Sequence, residues 1–158
     1  MHFIQKPAYE KLVTFQPDKK LPVYNWFYYK EAFSRELVLQ LLTELNLQEP
    51  VLDPFCGIGS TLLACREKNI LSTGFDVNPI ALLASRVKTR NYAKKEVEET
   101  RNELNEFKNA RFFRPGIEWR FELFPPERDF PKASFEEILF LKQKISEVSN
   151  EKVRDLFL

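Results

Sequence analysis

Histidine and cysteine are scarce in these 158 residues: His2 stands alone, and Cys56 and Cys65 are the two thiols. No C-x-x-C pair exists, so no metal site is expected. No histidine is placed to activate Cys56, which reads as a small turn residue. Two cysteines and a polar start, MHFIQKPAYEKL, with no secretory pattern lead to the expectation of a reducing cytoplasm. No apolar run reaches membrane-spanning length, so no membrane partner is expected. Glycine is rare as well, four against ten prolines, so flexible loops are few and a Gly-x-Gly stands out. Charge of one sign is also lacking; a net charge of +1 argues neither for nor against a nucleic-acid partner. Aromatic residues, by contrast, make up 14% of the chain, with 15 Phe, and most of them suit a core. With 44% hydrophobic and 30% charged residues, the composition is that of one globular domain.

Residues 1–22 hold Pro7, Pro17 and Pro22 without a sustained period and read as an irregular arm. In YNWFYYKEAFSRELVLQLLTEL, Ser34 is a helix N-cap, and Leu37, Leu41, Leu42 and Leu45 recur at helical spacing, which predicts a helix over about 34–47. The aromatic run at 24–29 suits either core packing or a cover over a ligand. Val51-Leu52 is a short buried strand ending at Asp53. A helix follows from near Ser60 to about Lys68, then a second strand over 70–75 that ends at Asp76. Asn78-Pro79 opens another helix, with proline at a tolerated first-turn position, and the pattern runs on as one long charged helix through Glu106. Strand, helix, strand, helix at this spacing is a parallel βαβ unit. Beyond residue 110, Pro115-Gly116 and Pro125-Pro126 mark a loop, residues 132–148 a helix, and Asn150 the cap of a last segment.

The informative stretch is VLDPFCGIGSTLLA, residues 51–64. A glycine turn at the carboxyl end of a parallel strand lets backbone approach a ligand, and the next helix offers free N–H groups and a positive dipole end. In dinucleotide enzymes such an end receives a pyrophosphate. Here Asp53 would repel phosphates and suits a cationic or hydroxyl-rich ligand. Asp76, at the end of the next strand, is placed as an acid that accepts ribose hydroxyls. Two strand-end acids with Gly-x-Gly between them fit a nucleoside carrying an amino acid, and S-adenosylmethionine is such a ligand. Asp53 and Asp76 could instead be simple helix caps, but two such turns in register favour a ligand site.

DPFCGIGST followed by GFDVNP resembles the cofactor motifs of S-adenosylmethionine-dependent methyltransferases. The closest pattern is the D-P-F-x-G-x-G-T-T turn of enzymes that methylate exocyclic amino groups of DNA bases, adenine N6 or cytosine N4. YNWFYYKEAFSRELV is similar to the segment that precedes this turn in that family and folds over the methionine end. The tail from Pro125 is similar to a helical stretch in longer members; the good match covers about residues 24–92. The resemblance implies an α/β fold, a partial Rossmann-like methyltransferase core. An N-terminal arm (1–23) would precede a cofactor-binding core (24–110) and a loop and helical extension (111–158). It implies that Asp53, Phe55, Gly57 and Gly59 hold the methionine portion, with Cys56 in the same turn and Ser60 and Thr61 at the helix start. Asp76 would bind the ribose, Val77 and Asn78 would flank the adenine, and Tyr28, Lys30 and Phe33 would belong to the covering segment.

A second motif that this class needs, D-P-P-Y or a variant, is not found. It would bind the target amino group and stack on the extruded base. Phe124-Pro125-Pro126-Glu127 has no polar residue before the prolines and no aromatic after them, and His2 lies in an irregular terminus. Two strands leave both sheet edges open, and DLFL ends the sequence on apolar residues. The expectation is therefore the cofactor part of an enzyme, a fragment or split subunit. Its sheet would be completed by a missing C-terminal half, a partner chain or a second copy. A nucleic-acid partner is expected, DNA ahead of RNA. Arg86, Lys88, Arg90, Lys94 and Lys95 form a basic run in which Arg86, Arg90 and Lys94 share a helix face. Arg111, Arg114 and Arg120 lie among Phe112, Phe113 and Trp119. The run suits equally a solvated face balanced by Glu96, Glu98 and Glu99. The competing functions are a part of a tRNA guanosine methyltransferase, which also uses D-P-F-C-G-type turns, a non-catalytic binding or partner subunit, and a degenerate remnant.

Overall fold

The computed structural model describes residues 6–116 and 125–158, so His2, Trp119, Arg120 and Phe124 lie outside the described residues. It is mixed α/β, mostly helical, with one short parallel two-stranded sheet. The chain divides into two compact units, residues 1–91 and 92–158.

In the first unit, three 3-10 turns (Pro7–Tyr9, Gln16–Lys20, Tyr24–Trp26) precede α1, Arg35–Glu44. Ser34 caps α1: its hydroxyl accepts from Leu37 N–H while donating to the Leu12 carbonyl at 2.9 Å. Strand β1 (Val51–Asp53) leads through the glycine turn into α2 (Ser60–Glu67) and on to β2 (Ser72–Gly74), which pairs parallel with β1 in the register Val51 to Ser72 and Asp53 to Gly74. The second strand is shorter than the apolar run over 70–75, because pairing ends with the last residue of β1.

Alternation along the strands decides which face is covered. Val51 and Ile70 pack with Val38, Leu42, Ala64 and Cys65 between the sheet, α1 and α2. Ala64 and Cys65 are small and wholly buried, which lets α2 lie close to its neighbours. The opposite face is bare among the described residues: Leu52 is 61% exposed, Leu71 77% and Phe75 61%. Parallel sheets are ordinarily covered on both faces. A second cluster, Phe15, Ala32, Ile58 and Ala81, joins the arm to the glycine turn and to α3, Pro79–Thr89.

A buried polar network fixes the arm. Asp18 is fully buried, and its Oδ2 accepts the Arg35 N–H at 2.8 Å, an anion at the start of α1. Lys88, only 4% exposed, donates to the Tyr24 carbonyl at 3.0 Å, and the Tyr24 hydroxyl donates to Glu67 at 2.9 Å. Arg35 Nε also reaches Glu67, at 2.8 Å. Burial pushes the Lys88 amine down to about 8, against the pull of the Asp18 carboxylate. Lys88 therefore leaves the basic run that the sequence suggests.

The single helix expected through Glu106 is two helices. Asn78 caps α3, accepting from Ile80 at 3.0 Å, and α3 ends at Thr89 with Arg90 in extended conformation. Arg66 reinforces that end by donating to the carbonyls of Thr89 and Arg90 at 2.9 and 3.0 Å. A new helix, α4, spans Lys94–Asn109 and opens the second unit, with Glu96 accepting from Ala93 N–H at 2.7 Å.

The second unit adds α5 (Lys132–Glu147) and α6 (Glu151–Asp155). Asn150 caps α6, accepting from Lys152 at 3.1 Å, and its amide donates to Glu99 on α4 at 2.8 Å. Phe107 meets Phe157 edge to face at 4.9 Å, and Phe112 and Phe113 pack on Phe140.

Replacing Asp18 by Ala strands the buried Lys88 charge and removes the acceptor at the start of α1; urea unfolding should show a loss of about 3 kcal/mol. Between pH 8 and 10.5 the Lys88 amine is neutral in the fold while still protonated in the unfolded chain. Raising the pH through that window therefore stabilises the chain relative to Lys88→Met, and a pH-independent difference between the two would contradict this placement.

Candidate functional site

The site grows from the two strand ends. At the end of β1, Asp53 Oδ1 accepts the Phe55 N–H at 3.1 Å, while Oδ2 is shut off from solvent and has no hydrogen-bond partner. The backbone then turns through Gly57 at φ +50° and Gly59 at φ +81°. The turn is tied to β2 by Cys56 N–H to the Phe75 carbonyl at 2.8 Å and Phe75 N–H to the Asp53 carbonyl at 2.9 Å. At the end of β2, Asp76 Oδ2 accepts the Gly57 N–H at 2.9 Å and Oδ1 accepts the Asn78 N–H at 2.8 Å. These backbone donors, Asn78 first and Gly57 next, hold the Asp76 carboxyl below its usual value, so it stays ionised.

Each glycine has its own constraint. A Cβ on Gly59 would press on Ser85 of α3, 3.0 Å from its Cβ and 3.1 Å from its Cα, so this residue brings α2 close to α3. A Cβ on Gly57 would meet only the Tyr29 ring, at 3.6 Å. Gly74, which sequence reasoning passed over, leaves room for Cys56: a Cβ there would lie 2.7 Å from the Cys56 Cβ. Cys56 is buried, and burial followed by the nearby Asp53 and Asp76 charges pushes its thiol up. It is a packing residue of the turn rather than a thiolate.

Beside this turn lies an open cleft of about 230 Å³. The turn contributes Phe55, Cys56, Gly57, Ile58 and Ser60 to its lining, with Asp76 from the end of β2; Phe55 is 85% exposed. The upstream segment closes it with Tyr29, Glu31, Ala32 and Phe33. The Ala32 N–H to Tyr29 carbonyl bond, 3.1 Å, makes the turn that brings these residues round. The cleft wall carries two acids and no lysine or arginine. It disfavours phosphates and favours a ligand with positive charge and hydroxyl groups.

Of the residues singled out in the sequence, Phe33, Phe55, Cys56, Gly57, Ser60 and Asp76 come together on this wall. Asp53 and Gly59 lie in the supporting turn, and Thr61 is buried within α2. Val77 is 100% exposed beside Asp76, and Asn78 is engaged as the α3 cap. Tyr28 and Lys30 do not line the cleft; the Tyr28 ring packs edge to face on Phe15 at 5.3 Å, with Lys19 over it. Tyr29, Glu31, Ala32 and Ile58 also line the cleft, and no motif in the sequence indicates them. The period of a turn is not readable from residue types, although the buried Ser34 cap beside them marks where the segment is anchored. Arg86 is exposed on α3 and Lys94 on α4, but the break at Arg90 means that Arg86, Arg90 and Lys94 share no continuous helix face. Arg111 is exposed, and Arg114 pairs with Glu136 at 3.1 Å. Among the described residues no cluster of His, Cys, Asp and Glu is placed to hold a metal ion, and no helix is long and apolar enough to cross a membrane.

Comparison with known proteins supplies the family. Over 135 residues, 82% of this chain, the sequence is 35% identical to Type II methyltransferase M.BsoBI of Geobacillus stearothermophilus. The chain is homologous to part of the Type II DNA methyltransferases. Type II methyltransferase M.AvaI of a Nostoc strain is 49% identical over 72 residues, 44% of this chain, and M.MjaII of Methanocaldococcus jannaschii is 38% identical over 65 residues, 40% of this chain. These matches cover 26% of M.BsoBI, 15% of M.AvaI and 12% of M.MjaII, so the chain spans about a quarter or less of these methyltransferase relatives. No protein-family model matches the chain, and no solved structure matches it significantly.

The two turn glycines should respond unequally to alanine. Gly57→Ala should cost about 1 kcal/mol, the left-handed conformation alone. Gly59→Ala adds the collision with Ser85 and should cost about 2 kcal/mol or more by urea unfolding. Equal losses would contradict the close approach of α2 and α3.

Proposed function

We propose that this chain is the S-adenosylmethionine-binding part of a DNA methyltransferase that methylates an exocyclic base amino group, built on a partial Rossmann-like core. The observation that carries the reading is the Asp76 carboxylate. It braces Gly57 and Asn78 at the edge of a cleft whose wall holds two acids and no basic residue. The residues suit the donor. Gly57 lets backbone approach it closely, and Asp76, though engaged by two N–H groups, keeps lone pairs for ribose hydroxyls. Val77, fully exposed beside Asp76, offers apolar surface to the adenine.

The bound donor supplies an electrophilic methyl group on a sulfonium. The chain's own contribution is to bind and orient that group, with the acids opposing its positive charge and Phe55 shielding the cleft mouth. The groups that bind the target base belong to a D-P-P-Y-type motif that this sequence does not contain. The exposed sheet face at Leu52, Leu71 and Phe75 supports a second element of the reading: further polypeptide covers that face, and the catalytic motif belongs to it. The Type II methyltransferase relatives favour DNA over RNA as the substrate, and Arg86, exposed on α3, is a candidate phosphate contact.

Calorimetric titration of the purified chain with S-adenosylmethionine and S-adenosylhomocysteine should give saturable binding, weakened by about tenfold or more in Asp76→Ala. Absence of binding by the folded chain, or equal affinity in the variant, would contradict the assignment of Asp76 and its cleft to the donor.

A further inference from the structure

We propose that Lys88 and Glu67 are positioning residues for the cleft: from α3 and α2 they clamp Tyr24, hold the strained turn at Val23 closed, and so keep the segment over 29–33 seated on the cleft wall. The proposal rests on the cofactor reading above and adds to it two residues that do not line the cleft themselves.

The wall segment is a strap with an anchor at each end. At the far end Ser34 is fully buried, and its N–H and its hydroxyl both donate to the Leu12 carbonyl at 2.9 Å. At the near end Tyr24 is buried; its carbonyl accepts from Lys88 Nζ at 3.0 Å, and its hydroxyl donates to Glu67 at 2.9 Å. Between the anchors Trp26, Phe27 and Tyr28 are exposed, and Tyr29, Glu31, Ala32 and Phe33 then line the cleft. Where this stretch sits is set largely by its two ends.

The near anchor is registered to the cleft by both helices that begin there. Helix α2 starts at Ser60 on the cleft lining and carries Glu67 as its last residue. Helix α3 starts after Asn78, whose N–H is held by Asp76, and carries Lys88 in its last turn. The tails of the two helices therefore grip the residue from which the strap departs. Neither gripping group swings free. Glu67 is held by Arg35 Nε at 2.8 Å, and the Lys88 charge is opposed by the buried Asp18 carboxylate, which itself accepts the Arg35 N–H.

Val23 supplies what the clamp works against. It lies at φ +69° and ψ −48°, a conformation that a β-branched residue adopts only under constraint. The other non-glycine residues at positive φ among those described are Asn46 and Asn69, and asparagine tolerates that region. Strain at Val23 favours release of the strap, and the two hydrogen bonds on the next residue oppose it.

The deciding variant is Tyr24→Phe, which removes one bond of the clamp and leaves Glu67 paired with Arg35. Amide hydrogen exchange over 25–33 should quicken by about tenfold while α2 is unchanged, and calorimetric affinity for S-adenosylhomocysteine should fall by about tenfold. Lys88→Met should act in the same direction. Adding Val23→Gly to Tyr24→Phe should restore most of the affinity, because glycine turns there without strain. A tyrosine that merely fills the core would not be rescued by a glycine beside it. In Tyr24→Phe, unchanged exchange at 25–33, unchanged affinity, or a loss that Val23→Gly does not restore would each overturn the proposal and leave the cofactor reading standing. Absence of S-adenosylhomocysteine binding by the unaltered, folded chain would overturn the cofactor reading and this proposal with it.

Discussion

One carboxylate holds the two strand-end turns together. Asp76 accepts the Gly57 N–H with one oxygen and the Asn78 N–H with the other, at 2.9 and 2.8 Å, so the glycine turn after β1 and the start of α3 after β2 are set against each other by a single side chain. The glycines make the arrangement sterically available. Gly57 turns at positive φ where only the Tyr29 ring is near, and Gly59 brings the head of α2 against Ser85. The β1 turn is then tied back to β2 through Cys56 and Phe75. The cleft and the acid beside it are consequences of that closure, on a sheet that has two short strands among the described residues.

What lies around the cleft explains its chemistry. The arm and the segment over 29–33 close one side, anchored by the buried Asp18 and Lys88 and by the Phe15, Ala32, Ile58 and Ala81 cluster. The sheet face formed by Leu52, Leu71 and Phe75 carries no cover among the described residues. The relatives are several times longer than the region they share with this chain. In the proposed reading, a methyl donor is oriented by this unit and the target base is bound elsewhere.

Much of the first unit could be read directly from residue types, because its signals are local. Ser34 and Asn78 are helix caps whose bonds are made within a few residues, and the apolar periods of α1 and the strand at Val51 depend on nearest neighbours. Other features depend on tertiary contacts that no period encodes. The run from Pro79 keeps its helical pattern through residue 90, yet it breaks there and Arg66 from α2 takes the freed carbonyls. Lys88 looks like one more surface cation, but the register of α3 turns it inward onto Tyr24. In the covering segment the resemblance points to Tyr28 and Lys30, whereas Tyr29 and Glu31 line the cleft, because a turn at 29–32 has no repeat from which the inward residues can be picked.

The most direct test of the account is to map, by backbone amide NMR, which residues respond when S-adenosylhomocysteine is titrated into the chain. The account predicts shifts confined to three short segments, 29–33, 55–62 and 76–78, which are far apart in sequence and meet only at the cleft. Shifts concentrated elsewhere, or none in a folded chain, would contradict it.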